Sequence, residues 1–379
     1  MYDPTAKTFF SRELLSWYRV QKRDLPWRRS RDPYHIWVSE VMLQQTRVET
    51  VKPYFARFVS LFPTVEALAD APEETVLKAW EGLGYYSRAR NLQSAAREVS
   101  ERYGGKVPDS KEAFSSLKGV GPYTAGAVLS IAFNRREPAV DGNVMRVLSR
   151  YFCIEEDVAK GSTRAMMERL QYELIPDGEA SDFNQAIMEL GALVCTPKSP
   201  HCLTCPVMER CAGRLEGKEE TLPIKTKAKP PRPEYRACAL VVSEDGASVL
   251  LRKRPATGLL ADMWELPHVE FAAMGWPAAM ADAAVGDALA LWLHGELAAA
   301  AGPEGNAGAV VRPLAPVGVA EHTFSHIHWN LRVHRLSASA SEGESPSEPY
   351  RWVDRAGMAV HPLPNVFVRL LKAEGFIPA

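Results

Sequence analysis

Between Lys225 and Pro233 the hydrophobic period of the chain changes, and one fold cannot carry both periods. Before this stretch, apolar residues recur at three- and four-residue spacing, as on the buried face of a helix; after it they alternate, as on a strand. The stretch itself, Lys225-Thr-Lys-Ala-Lys-Pro-Pro-Arg-Pro233, is basic, proline-rich and nearly free of apolar side chains. It reads as an extended, exposed tether, with a phosphate contact as the alternative. At 379 residues the chain exceeds one ordinary domain. The expected organisation is a helical domain over 1–214, a linker over 215–234 and a second domain over 235–379.

Helical periodicity marks Ile36–Phe58, Val76–Leu83, Arg88–Tyr103, Tyr123–Phe133, Asn143–Phe152 and Asn184–Val194, punctuated by Pro and Gly. The first domain is therefore all-α. In the second, Ala237–Val242 and Ser248–Arg252 flank Glu244-Asp-Gly-Ala and predict a hairpin. His326–Leu336 alternates, with Ile327, Trp329, Leu331 and Val333 on one face. His326, His328, Asn330, Arg332 and His334 fall on the other, read as solvated. A helix between these strands, a polar loop over Ser337–Pro349 and a closing helix over Asn365–Glu374 complete an α+β domain.

A hydrophobic fraction of 46% and a charged fraction of 24% are those of a soluble globular chain. Met1–Val20 lacks the apolar core of a signal peptide, and no apolar run reaches membrane-spanning length. A cytoplasmic location is the expectation. The net charge of −1 gives no hint of nucleic acid, so any such reading rests on local motifs.

Three motifs carry chemistry. Cys195-x6-Cys202-x2-Cys205-x5-Cys211 gathers four thiols in the pattern of a soft-metal site, and spacing alone leaves zinc and an iron–sulfur cluster both open. Cys153 and Cys238 stand apart and read as small buried residues. Leu117-Lys-Gly-Val-Gly-Pro-Tyr123 has the form of a helix–hairpin–helix turn. Gly119 and Gly121 permit a tight turn whose backbone N–H groups, with the helix start behind them, suit a DNA phosphate; a plain helix–helix turn needs the same glycines. Glu40 sits in a neutral helical run, where burial would raise its pKa and make it an acid near neutrality, unless it simply faces water. Asp141, in Ala139-Val-Asp-Gly-Asn-Val144, is either a helix N-cap or the ionised partner of Glu40. Cleaving a glycosidic bond uses such a pair, one carboxyl protonated and one ionised.

Taken together, the hairpin, the Val140-Asp-Gly-Asn143 segment and the cysteine loop resemble the endonuclease III superfamily of DNA glycosylases. Trp37-Val-Ser-Glu-Val-Met-Leu-Gln-Gln-Thr46, Glu81-Gly-Leu-Gly-Tyr-Tyr-Ser-Arg-Ala-Arg-Asn91 and Leu190-Gly-Ala-Leu-Val-Cys195 are similar to segments of its adenine-releasing branch. The resemblance covers about residues 8–214 closely and continues more weakly to about 372. Relatives that cleave the strand carry a lysine just after the hairpin, where this chain has Tyr123; the resemblance thus implies a monofunctional enzyme.

It implies further that the substrate is duplex DNA holding adenine opposite 8-oxoguanine or guanine, and that the chain acts as a monomer. Glu40 would protonate the adenine, Asp141 would stabilise the oxocarbenium ion, and Tyr123 and Asn143 would orient both. Arg23, Trp27, Arg28, Leu43 and Thr46 would line the base pocket, with Gln185 at the adenine edge. Gln45 and Tyr85 would push into the duplex. Lys118, Gly119, Val120 and Gly121 would meet the DNA backbone. The four cysteines would hold a four-iron, four-sulfur cluster (4Fe-4S). The second domain resembles a Nudix fold without the glutamate-rich magnesium box; Glu270, Asp282, Asp287 and Glu296 are too scattered to form one. Phe324, Ser325 and His326 would read the 8-oxoguanine. A pyrimidine glycosylase with lyase activity and a catalytically silent iron–sulfur DNA-binding protein are the competing readings.

Overall fold

A computed structural model describes residues 2–227, 229–301, 310–338 and 348–378. Its contacts divide the chain into two units: Met1–Ala71 with Arg90–Ala228, and Pro72–Ala89 with Lys229–Ala379. The second unit thus takes an excursion from the middle of the helical half as well as the C-terminal half.

The helices of the N-terminal half are α1 (Pro4–Gln21), α2 (Pro33–Leu43), α3 (Val48–Leu61), α4 (Val65–Asp70), α5 (Glu73–Trp80), α6 (Ser87–Tyr103), α7 (Lys111–Ser115), α8 (Pro122–Phe133), α9 (Gly142–Tyr151), α10 (Gly161–Leu174), α11 (Ala180–Leu193) and α12 (Ala212–Leu215). Helix α5 and the first residues of α6 belong to the second unit. The single helix expected over Ile36–Phe58 is two helices. The chain breaks at Gln44–Arg47, where Gln45 adopts a left-handed φ of 56°. No Pro or Gly marks that break, so periodicity runs through it.

Two helices lack a solvent face. Tyr34 and Ile36–Met42 of α2 and Thr124–Ile131 of α8 are buried, and the two helices pack together in the middle of the first unit. Asp32 caps α2 by accepting from the Tyr34 N–H at 2.8 Å, and Pro33 and Pro122 occupy first-turn positions that need no donor. A neighbouring core joins Phe10, Leu14 and Tyr18 of α1 to Val147, Leu148 and Tyr151 of α9 and to Phe183, Ile187 and Leu190 of α11.

The second unit is a seven-stranded sheet of β1 (Arg232–Ser243), β2 (Ser248–Lys253), β3 (Trp264–Glu265), β4 (His268–Glu270), β5 (Val311–Thr323), β6 (Ile327–Ala338) and β7 (Tyr350–Asp354). Its main path is β3-β2-β1-β6-β5, with β4 on β1 and β7 on β2. The predicted hairpin is β1–β2, and β1 runs parallel to β6 from Arg232↔Ile327 to Ser243↔Ala338. Helices cover both faces. Cys238, Leu240, Leu331 and Val333 pack on Phe367 and Leu371 of α14 (Asn365–Ala373). Ala237, Ala239, Val241 and Leu336 pack on Val285, Leu289 and Leu293 of α13 (Asp282–Ala301). The face of β6 read as solvated is therefore partly covered, and His334 is buried beside Gly286 of α13.

Two further expectations change. The tether is shorter than 215–234: Ile224 and Thr226 bond to Val158 and Asp157, and β1 already begins at Arg232. Ser337 and Ala338 finish β6, while 339–347 of the predicted loop lie outside the described residues. No helix among the described residues is long and apolar enough to cross a membrane.

Candidate active site

Glu40 sits on the central helix α2 and is 5% exposed. Its partner comes from α8: the Tyr123 hydroxyl donates to Glu40 Oε2 at 2.7 Å. Oε1 has no protein hydrogen bond among the described residues. Burial is the main cause that pushes the Glu40 carboxyl up to about 7; the Tyr123 hydrogen bond opposes it, the Asp141 charge adds to it and Arg28 opposes it. Glu40 is the buried acid and not a surface glutamate. Burial likewise raises the Tyr123 phenol well above its usual range, so Tyr123 stays a donor.

The N-cap reading of Asp141 holds, and the same residue lines the pocket with Glu40. As N-cap of α9 it accepts from the Val144 N–H at 2.8 Å through Oδ1, while Asn143 Nδ2 donates to Oδ2 at 2.8 Å. Burial raises its pKa, and these bonds to the charged form pull it back. Asn143 is held in turn by Arg146, whose Nη2 donates to Asn143 Oδ1 and to the Gly191 carbonyl. A side chain at Gly191 would meet Asn143 Cβ at 2.6 Å, so α9 and α11 approach this closely only because residue 191 is glycine.

One pocket gathers the expected base-contacting set. Arg23, Trp27, Arg28, Glu40, Leu43, Thr46, Tyr123, Asp141, Asn143 and Gln185 all line it. Gln185 Nε2 donates to the Ser181 carbonyl, which leaves Oε1 and the second N–H for a ligand. Among the lining residues that the sequence reading does not name are Met188 and Glu189. Met188 Sδ lies 3.5 Å from the Tyr123 hydroxyl. Glu189, 1% exposed, accepts from Arg23 N, Nε and Nη2 and from Arg28 Nη1 and Nη2 at 2.7–3.1 Å. Burial would raise its carboxyl, but the hydrogen bonds from Arg23 and Arg28 outweigh burial and hold it at about 2. A glutamate on an amphipathic helix reads as solvated; its partners lie more than 160 residues away in the chain.

The DNA-facing candidates stand outside this pocket. Lys118, Gly119 and Gly121 are exposed and Val120 is buried. Gly119 has φ +80° and needs to be glycine. Gly121 has φ −88° with open space around it, so the second glycine of the motif is not required by its own conformation. Gln45 is exposed on the strained turn after α2. Tyr85, in the second unit, is 46% exposed with φ 47°, and Arg88 anchors its loop by donating to the Leu83 and Gly84 carbonyls. Non-glycine residues in this conformation persist only where the surroundings impose it. Ser325 and His326 are exposed at the β5–β6 turn, while Phe324 packs on Trp329 at 4.8 Å.

The four cysteines are partly buried, and each is close enough for its charge to act on Cys205 or Cys211. Burial, with smaller contributions from the neighbouring thiols, pushes Cys205 up to about 12 and Cys211 up to about 11, so a bound cation is what would keep them ionised. No three of the four sulfurs lie within 4.8 Å of one another among the described residues. Four thiols from one loop form a donor set suited to a soft-metal group. Helix α9 ties this loop to the pocket. Arg146 Nε donates to the Cys195 carbonyl at 2.7 Å, and Arg150 reaches Cys195 Sγ and the Thr196 and Pro197 carbonyls. Cys153 is a correction: it is partly exposed, and its thiol lies 3.3 Å from Glu216. Cys238 is buried as expected.

Residues 38–172 match the HhH-GPD superfamily of base excision DNA repair proteins, and residues 237–373 match the NUDIX domain family. A thermostable thymine-DNA glycosylase structure superposes with a TM-score of 0.51 at 32% identity, covering 56% of this chain and 98% of its own. Endonuclease III trapped on DNA superposes at 0.50 and 24% identity, covering 57% of this chain and 99% of its own, a likeness of fold alone. The family match over the hairpin and the Glu40 pocket makes this a base-excision DNA glycosylase of the helix–hairpin–helix class. An adenine DNA glycosylase of Rattus norvegicus is 39% identical over 396 residues, which are 91% of this chain and 73% of that protein. One of Schizosaccharomyces pombe is 33% identical over 411 residues, 92% and 86%. The chain belongs to the adenine DNA glycosylase family.

Proposed function

We propose that this glycosylase releases adenine from A:8-oxoguanine and A:G mispairs in duplex DNA and leaves an abasic site. The observation that carries this reading is that Glu40 and Asp141 line one pocket, Glu40 raised to about 7 by burial and Asp141 held by hydrogen bonds that favour its charged form. Glu40 keeps its proton near neutral pH and presents Oε1 to the base, where it would protonate the leaving adenine. The pKa of Asp141 is raised by burial, while three hydrogen bonds to its charged form oppose the shift; that form would stabilise positive charge on the sugar. Tyr123 holds Glu40 and cannot form an imine, which favours base release without a strong lyase step. Gln185 Oε1 and the Arg28 guanidinium offer an acceptor and donors to the flipped base edge. Gln45 and Tyr85 would enter the duplex beside the mispair, the 117–121 hairpin would grip the backbone, and Phe324–His326 would read the 8-oxoguanine. The cysteine loop would hold a 4Fe-4S cluster that orders the loop for DNA and takes no part in base release. The chain would act as a cytoplasmic monomer at the nucleoid.

The test incubates the full chain with duplexes holding A:8-oxoguanine, A:G, A:T or an oxidised pyrimidine, with and without alkali. Release from the first two, with strand scission awaiting alkali, is expected. Activity on the pyrimidine, or none at all, would overturn the reading. Zinc in place of iron and acid-labile sulfide in the same preparation would overturn the cluster.

A further inference from the structure

The base pocket holds two guanidiniums beside a carboxyl that has to stay protonated. Arg28 lies close enough to Glu40 to favour its ionised form, and Arg23 lines the same pocket. Left alone, this pair of cations would draw the proton off the acid. Glu189 opposes them from α11. Its two oxygens accept five hydrogen bonds, three from Arg23 and two from Arg28, so both guanidiniums are turned onto one carboxylate. We propose that Glu189 is a positioning residue that keeps Glu40 protonated by neutralising and fixing Arg23 and Arg28.

The charged and titratable groups facing Glu40 are few. Tyr123 faces it from α8, Asp141 from the start of α9, and Arg28 from the turn at Pro26–Arg28. Tyr123 stays neutral, the cap holds Asp141 in place, and the Arg23–Arg28–Glu189 cluster is the part of the field that a substitution can change without touching either. One carboxylate against two guanidiniums leaves one net positive charge. Without Glu189 there would be two, and both arginines would lose the carboxylate that turns them. Guanidiniums do not deprotonate in this range, so only the carboxylate can offset them. Deep burial makes the compensation matter, because charge interactions weaken less there than in water.

The inference rests on Glu40 acting as the acid, and its test separates the two. The measurement is the pH dependence of single-turnover adenine release from an A:G duplex by the full chain. Wild type is expected to lose rate as pH rises through about 7. Glu189→Gln should move that alkaline limb to lower pH while retaining rate on the acid side. Well above both limbs, the rate falls about tenfold for each pH unit of displacement. Arg28→Gln removes a cation and should move the limb to higher pH, which keeps the inference open to refutation should Glu189→Gln fold poorly. A Glu189→Gln limb that stays in place while the rate drops equally at every pH would overturn it, as would both variants moving the limb the same way. A wild-type profile with no alkaline limb would overturn the acid role of Glu40, and the inference with it.

Discussion

At the scale of single residues, the site keeps a carboxyl where a carboxyl is costly. Glu40 has an ordinary value of 4.5 and is raised to about 7 in the fold, chiefly by burial. The sign for stability follows directly. Below the unfolded value both states hold the proton and nothing is lost. As pH rises, the unfolded chain releases its proton first, and stability falls until the folded value is passed. The loss is about 3 kcal/mol at most. Glu40→Gln keeps an acceptor for the Tyr123 hydroxyl and removes the titration. Urea unfolding of wild type and variant at several pH values should therefore give midpoints that converge in acid and diverge with rising pH, the variant being the more stable. Parallel curves would show that Glu40 is not desolvated. The same buried proton that disfavours the fold at neutral pH is the one the leaving base needs.

At the scale of elements, α2 and α8 show what a sequence discloses. Glu40 was legible because a carboxylate stands out in a neutral helical run, and Asp141 because a cap residue before Gly-Asn marks a helix start. The break at Gln44–Arg47 was not, since a helix that ends without Pro or Gly leaves the apolar spacing intact. His334 was misread because period-two alternation identifies the two faces of a strand but not whether a helix covers one of them. Glu189 was invisible because its meaning lies wholly in Arg23 and Arg28. The hairpin between α7 and α8 was legible as a motif, yet its two glycines differ in kind. Gly119 has φ +80°, and a Cβ there would lie 2.7 Å from Asn91 Cβ, an atom fixed to its backbone. Gly119→Ala should lower stability by about 1–3 kcal/mol and weaken duplex binding. Gly121→Ala, with no neighbour within 4 Å, should do neither. Thermal melts and duplex titrations of the two variants, side by side, check this. Equal effects would mean that the motif acts through composition and not through the turn.

At the scale of the whole molecule, chain order and folding unit part company. Residues 72–89 run from just after the end of α4 into the first turn of α6, yet their partners within the second unit come from the C-terminal half. Trp264 Nε1 donates to Glu74, Lys78 Nζ reaches the Met358 and His361 carbonyls, the Leu363 N–H donates to Glu81, and the Tyr86 hydroxyl donates to the Leu363 carbonyl. Sequence alone could not show this, since the helical period of α5 matches that of its neighbours in the chain. Segments that share contacts open together, so α5 should exchange its amides with the sheet and not with α2 and α8. Phe367 of α14 is fully buried under that sheet, and Phe367→Ala should cost the second unit about 3–5 kcal/mol. In native-state hydrogen exchange of the full chain, this variant is expected to lower protection in β1, β6 and 73–80 together while 36–42 and 124–131 keep theirs. Protection at 73–80 that follows α2 and α8 would assign the excursion to the catalytic unit. The loop ending the excursion carries Tyr85, which under the proposed function enters the DNA. Its order would then depend on the fold of the second unit, and loosening that unit's core would weaken lesion engagement without touching Glu40 or Asp141.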